Sequence, residues 1–231
     1  MKLPLLRLLA IWAALTAATG SAAAAQDFSA AERALFMTNQ LAALKPPATL
    51  SYSYRRSGSL EPAFDDKVAV QLRAQPNGAC CTANAEFLSG PRRLSLPEVE
   101  AGEGNPVILY FLERDIREMS RLTKGQANYF RKRIRMAVYR GAAIEELSVA
   151  FQGKPVSARR ITIAPYADDP LRVRFEKLAD KTYTFTLSDA VPGGVLSIRT
   201  QVDAADANAP PLLTEELSLI GANPGGAARQ P

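Results

Sequence analysis

Along most of its length this chain alternates apolar and polar residues with a period of two, and one helical stretch at residues 105–139 interrupts the alternation. That pattern constrains the fold more than any other feature. Leu50, Tyr52 and Tyr54 alternate with Ser51, Ser53 and Arg55, and Val68, Val70 and Leu72 with Ala69, Gln71 and Arg73. Each set predicts a strand with one buried face. Pro76-Asn77-Gly78 predicts the turn of a hairpin whose third strand carries Ala83, Ala85 and Phe87, and residues 92–96 predict a short edge strand.

Six further segments follow the helical stretch. They are marked by Leu147, Val149 and Phe151; by Ala158, Ile161 and Ile163; by Leu171, Val173 and Phe175; by Tyr183, Phe185 and Leu187; by Leu196, Ile198, Thr200 and Val202; and by Leu213, Leu217 and Leu219 as a final edge strand. Gly153-Lys154-Pro155 and Pro192-Gly193-Gly194 read as turns between them. Alternation of this kind belongs to antiparallel sheets with one covered face, because parallel strands buried on both faces read as unbroken apolar runs.

Within the helical stretch, Leu112, Ile116, Met119 and Leu122 recur at i, i+4, i+7 and i+10. The pairs Glu113 with Arg117 and Arg114 with Glu118 lie at i,i+4 and predict a solvated opposite face. Gly125 fits the residue after a helix end, and a second helix from Asn128 carries Phe130, Ile134 and Ala137 on one face. A first helix, capped by Ser29 and striped by Ala31, Leu35, Thr38, Leu41 and Ala42, is predicted to run up to Lys45-Pro46-Pro47. The expected fold is therefore α+β: a curved antiparallel sheet or half-barrel, covered on one side by an N-terminal helix and a central helical hairpin.

The first residues resemble an export signal. Lys2 and Arg7 precede an apolar run from Leu8 to about Ala18, and small residues continue to Ala25, so residues 1–25 read as a signal peptide cleaved near Ala25. The run is shorter than the ~20 residues of a spanning helix, and no lipobox cysteine follows it. The expected location is the periplasm. Residues 26–222 then form a single α+β domain, and residues 223–231 a disordered tail. Loss of Lys2 and Arg7 lowers the formal charge from +5 to +3, which suits an anionic surface but is too small to argue for nucleic acid.

Histidine is absent, so Ser-His-Asp and Cys-His catalysis are excluded. Cys80 and Cys81 are adjacent and cannot supply two separated zinc-ligand pairs; they read as two small residues after a turn, with a vicinal disulfide as the alternative. Asp65-Asp66 and Asp168-Asp169 could serve a metal or a carboxylate hydrolase, but Asp168-Asp169-Pro170 is first of all a turn sequence. No catalytic residue, metal or cofactor is therefore assigned, and the expectation is a protein that is not an enzyme.

The order of elements, a short helix after the signal, strands, a helical segment and more strands, resembles the periplasmic lipoprotein-carrier superfamily of LolA/LolB-like half-barrels. The phrases NPVILYFLERDIREM, RITIAPYADDP and KTYTFTLSDAVPGG also resemble an uncharacterised family of exported bacterial proteins. The first resemblance implies an apolar or lipidated ligand held in an open barrel under helices; the second implies no activity. The expected function is thus a periplasmic carrier or sensor binding a lipid, acyl chain or lipidated partner between sheet and helical lid. Periodicity alone nominates Tyr52, Tyr54, Phe87, Leu112, Ile116, Met119, Phe130, Ile134, Tyr183 and Phe185 as cavity residues. Arg131, Lys132 and Arg135 are the candidates for contact with an anionic surface. Two alternatives stand beside this reading: an envelope interaction or assembly protein, and a carboxylate-based hydrolase.

Overall fold

The computed structural model describes residues 28–76, 80–100, 104–220 and 222–227, the last six by their backbone. The proposed signal peptide lies outside them. Strands β1 (Ala48–Gly58), β2 (Phe64–Ala74) and β3 (Cys80–Phe87) form an antiparallel meander, extended by the two-residue β4 (Val99–Glu100). The second group is β5 (Ala143–Phe151), β6 (Lys154–Ile163), β7 (Thr182–Leu187), β8 (Val195–Val202) and β9 (Leu213–Leu219). The two groups join where β1 pairs with β9, Tyr54 opposite Leu217, so one open antiparallel sheet runs β10-β5-β6-β7-β8-β9-β1-β2-β3-β4. The α+β class is as expected, and β9 lies inside the sheet between β8 and β1 rather than at its edge. Strand β10 (Ala222–Ala227) pairs with β5, in a region where the sequence suggests a tail.

Alternation places the side chains as predicted in β1 and β2. Leu50, Tyr52, Tyr54, Val68, Val70 and Leu72 are buried while Thr49, Ser53, Arg55 and Gln71 are exposed. The β5–β6 turn has Gln152 and Gly153 both at positive φ, the geometry whose twist matches a two-residue hairpin. Over the inner face lie α2 (Pro106–Thr123) and α3 (Ala127–Gly141). Asn105 caps α2 by accepting from Val107 N at 3.0 Å, and Pro106 supplies the first helical φ. The buried Asn105 amide also donates to Gly193 O and Gln40 Oε1, both at 2.6 Å, tying the helix start to the β7–β8 turn.

Five local expectations fail. The segment of Leu171, Val173 and Phe175 is not a strand but lies in 3₁₀ turns over Arg172–Asp180 and the residue before them, with Val173 85% exposed. Asp169 causes this: its carboxylate accepts from Leu171 N at 2.7 Å and its carbonyl from Arg172 N at 3.0 Å, starting a helical turn that overrides the alternation. The N-terminal helix is short, with α1 (Ala30–Glu32) running into one wide turn, Arg33–Met37, before the backbone extends at Thr38. There Thr38 Oγ1 donates to Arg33 O at 2.8 Å and Asn39 Oδ1 accepts from Leu41 N at 3.2 Å, side-chain bonds that compete with further helix. The edge strand at residues 92–96 is replaced by the turn Gly90–Arg92 and one bridge between Phe87 and Leu94. Lys124, not Gly125, takes the left-handed conformation at the end of α2; Gly125 instead leaves room for the Phe130 ring, which a Cβ would approach to 2.6 Å. Cys80 and Cys81 are joined as a vicinal disulfide rather than standing as two small residues.

Candidate functional site

At 3.6 residues per turn, Ile108, Phe111, Asp115 and Met119 share one face of α2, and all four are fully buried against the sheet. Leu109, Leu112 and Ile116 form the neighbouring flank. That flank faces α3 and the N-terminal segment, and there an apolar groove of about 420 Å³ opens to solvent. Phe28, Phe36 and Met37 line one wall, Leu109, Leu112 and Ile116 the second, and Ile134 of α3 the third, with Glu32, Glu113, Arg131 and Arg135 among them. Phe28 and Leu109 are 42% and 41% exposed, unusual for residues of their size.

The ten candidate cavity residues therefore divide. Leu112, Ile116 and Ile134 line this groove. Tyr52, Tyr54, Phe87, Met119, Phe130, Tyr183 and Phe185 are at most 1% exposed and belong to the continuous core between sheet and helices. Tyr54 packs on Phe87 and Phe64, and Phe130 edges onto Tyr166 and Tyr129 and lies tilted against Phe175. Large side chains of both layers meet there, between the sheet and the helices.

The basic face divides as well. Arg131 is held by Glu113 at 2.8 Å, and Arg133 by Asp168 at 2.6 Å and Asp169 at 2.8 Å. Lys132 and Arg135 are exposed and make no ion pair among the described residues. With Arg140 and Tyr139 they border a second hollow of about 400 Å³ that shares Phe28, Glu32 and Arg135 with the groove. A third hollow, of about 460 Å³, is walled by Arg56, Arg92, Arg114, Arg117 and Arg121. Several of its cations are already matched: Arg56 to Glu118 at 3.1 Å, Arg121 to Glu61 at 2.9 Å and Arg117 to Glu113 at 3.3 Å.

Neither aspartate pair forms a two-carboxylate cleft. Asp169 is buried and accepts from Tyr129 Oη at 2.6 Å as well as Leu171 N, while Asp168 points to solvent. Asp65 pairs with Arg55 at 2.8 Å on the surface. Burial pushes the Asp66 carboxyl up, but hydrogen bonds from Lys67 N and Ser89 N outweigh it and hold the group below its ordinary value. Among the described residues no group of three or more acidic or sulfur side chains is placed to hold a metal.

One cluster was not legible from periodicity. Asp115 of α2, Lys181 just before β7 and Glu215 of β9 meet at the sheet–helix interface, each at most 1% exposed, with Arg114 beside them. Lys181 Nζ touches Asp115 Oδ1 and lies 3.6 Å from Glu215 Oε2, and Arg114 reaches Glu215 Oε1 at 2.7 Å. Tyr183 donates to Asp115 Oδ2 at 2.6 Å, and Tyr54 to Glu215 Oε1 at 3.1 Å. The expected Arg114–Glu118 surface pair is thus replaced by an inward Arg114–Glu215 pair. Burial alone would raise the Glu215 carboxyl; the charges of Arg114 and Lys181 and the bonds from Arg114 and Tyr54 overcome it and lower it to about 2. Burial and the Asp115 charge push the Tyr183 phenol well up, so it stays a proton donor.

No protein-family model matches the chain, and no curated protein matches it. Among solved structures it is similar to the crystal structure of the Mycobacterium tuberculosis lipoprotein LppX, with 12% identity over 82% of this chain and 94% of that one and a TM-score of 0.33. A likeness at that level concerns the arrangement of the chain alone. No helix among the described residues is long and apolar enough to cross a membrane.

Proposed function

We propose that this protein is a non-catalytic binding module of the cell envelope, a carrier or sensor that takes one acyl chain or comparable apolar tail in the groove between its N-terminal segment and the helical hairpin. The observation that carries this reading is the groove itself. Its volume of about 420 Å³ lies within the ~300–1,000 Å³ of small-molecule sites, and its walls are Phe, Met, Leu and Ile with charges among them. The absence of histidine agrees with a role in binding rather than catalysis. The site moves from the sheet–lid interior, where the sequence suggests it, to the flank of the lid. Arg135, exposed and without an ion pair among the described residues, suits an anionic head group at the groove mouth.

The test uses the protein without residues 1–25 and a fatty acid bearing an environment-sensitive fluorophore. Saturable binding, reduced at least tenfold by Leu109→Arg, is the expected result. Binding that is absent, or unchanged in the variant, removes the reading. A second reading, an assembly protein whose groove takes an apolar segment of an envelope partner, draws on the filled interior. It is favoured if the fluorophore fails to bind while crosslinking from an introduced Leu109→Cys captures one partner in cells.

A further inference from the structure

The buried cluster plays no part in the groove, yet its residue types and placement are those of a condensation site. A lysine nucleophile, Lys181 Nζ, touches the carboxylate of Asp115 in an interior where both are at most 1% exposed. Tyr183 Oη donates to the other carboxylate oxygen at 2.6 Å and is itself bonded to Tyr166 Oη at 3.1 Å, which fixes a donor where negative charge would gather during attack. Glu215 Oε2 sits 3.6 Å from the lysine nitrogen as a proton acceptor. Arg114 keeps Glu215 ionised, the form that accepts a proton.

We propose that Lys181 and Asp115 condense into an intramolecular isopeptide bond, with Glu215 relaying the proton, so that α2 is covalently fastened to the sheet. The first ammonium proton crosses the contact to Asp115 Oδ1, leaving a neutral amine and a carboxylic acid. Lysine Nζ then attacks Cγ while Tyr183 stabilises the charge on Oδ2. Glu215 takes the second proton and returns it to Oδ1, which leaves as water. The Nζ–Cγ bond forms, the Cγ–Oδ1 bond breaks, one N–H remains, and nothing is oxidised or reduced.

Three physical factors favour the step. Contact in the folded protein makes it unimolecular. Exclusion of bulk water opposes hydrolysis of the product. Condensation also removes two of four buried charges, a costly burden for an interior, and leaves Arg114 and Glu215 as one balanced pair. The bond would join residues 66 positions apart, on the helical cover and at the start of β7, making the cover a fixed part of the fold.

The mass of the purified wild-type protein, reduced and denatured, decides the question without any variant. The expected mass is lower than the sequence mass by one water, and trypsin should release a branched peptide joining residues 115–117 to residues 178–199. The full sequence mass, with separate peptides 115–117 and 178–181, overturns the proposal and leaves an ordinary ion pair. Two variants probe the chemistry. Asp115→Asn should still condense with loss of ammonia in place of water, and Glu215→Gln should stay uncondensed while retaining its circular dichroism spectrum. Condensation in Glu215→Gln would remove the relay role from that residue.

Discussion

The two sides of α2 use opposite chemistry in opposite surroundings. The face against the sheet carries the charges Arg114 and Asp115 into the interior, whereas the flank toward α3 presents Leu109, Leu112 and Ile116 to an open groove. On the inner face the charges are tolerated because Lys181, Glu215, Tyr54 and Tyr183 satisfy them. On the flank the apolar residues are left partly uncovered, which is what a binding surface requires. The contrast separates holding from the proposed binding: one side of the helix packs the cover onto the sheet, and the other lines the open groove.

The largest effect should come from breaking the inner side. Asp115→Ala leaves Lys181 buried without its closest counter-ion and is expected to cost about 3–5 kcal/mol in urea unfolding. The double variant Asp115→Leu with Lys181→Met, which leaves neither charge unpaired, should recover the part of that loss owed to the bare Lys181 charge. A cost below about 1 kcal/mol for the single variant would mean that the cluster does not secure the cover.

Acid probes the same side. The folded-state value of Glu215 is about 2 against an ordinary 4.5, so its contribution is fully present above the ordinary value and is lost as pH falls through about 2. Unfolding free energy should drop by about 3 kcal/mol between pH 5 and pH 2 on account of this residue. The difference between Asp115→Ala and Asp115→Ala with Glu215→Gln, neither of which can condense, isolates it and should shrink with acid.

The hairpin turn comes next in size. Gly125→Ala places a Cβ against the Phe130 ring and should cost about 1–3 kcal/mol, seen as a lower thermal midpoint. The smallest changes in stability belong to the flank. Arg131→Ala, which loses a half-exposed pair with Glu113 and an exposed hydrogen bond to Asn128, should change stability by less than about 1 kcal/mol. Leu109→Arg should be similarly mild in urea unfolding yet abolish most fluorophore binding. Mild unfolding with lost binding sharpens the contrast between the two sides, and a large loss of stability in Leu109→Arg would break it.

Much of the fold could be read from the chain. Leu50-Tyr52-Tyr54 and Val68-Val70-Leu72 announce their buried faces because a strand forces neighbours to opposite sides. Pro192-Gly193-Gly194 announces its turn through local backbone chemistry. Where alternation met stronger local bonding, as at Asp169 before Leu171-Arg172-Val173, the pattern misled. The groove was half legible: Leu112, Ile116 and Ile134 stand out by spacing, but Phe28, Phe36 and Met37 join them only through the path of the N-terminal segment. One signal for the inner cluster was available, the charged Asp115 in line with the apolar stripe.

The sequence by itself determined the local geometry: which residues extend, which coil, and which face of most strands is apolar. Steric and hydrogen-bonding preferences act between near neighbours, so they are written in order along the chain. Only the tertiary structure decided that β1 pairs with β9, that aromatic side chains fill the space beneath the hairpin, and that Asp115, Lys181 and Glu215 meet. Those outcomes depend on contacts between residues distant in the chain, 66 positions for Asp115 and Lys181 and 165 for Ser53 and Ser218, whose partners no local pattern names.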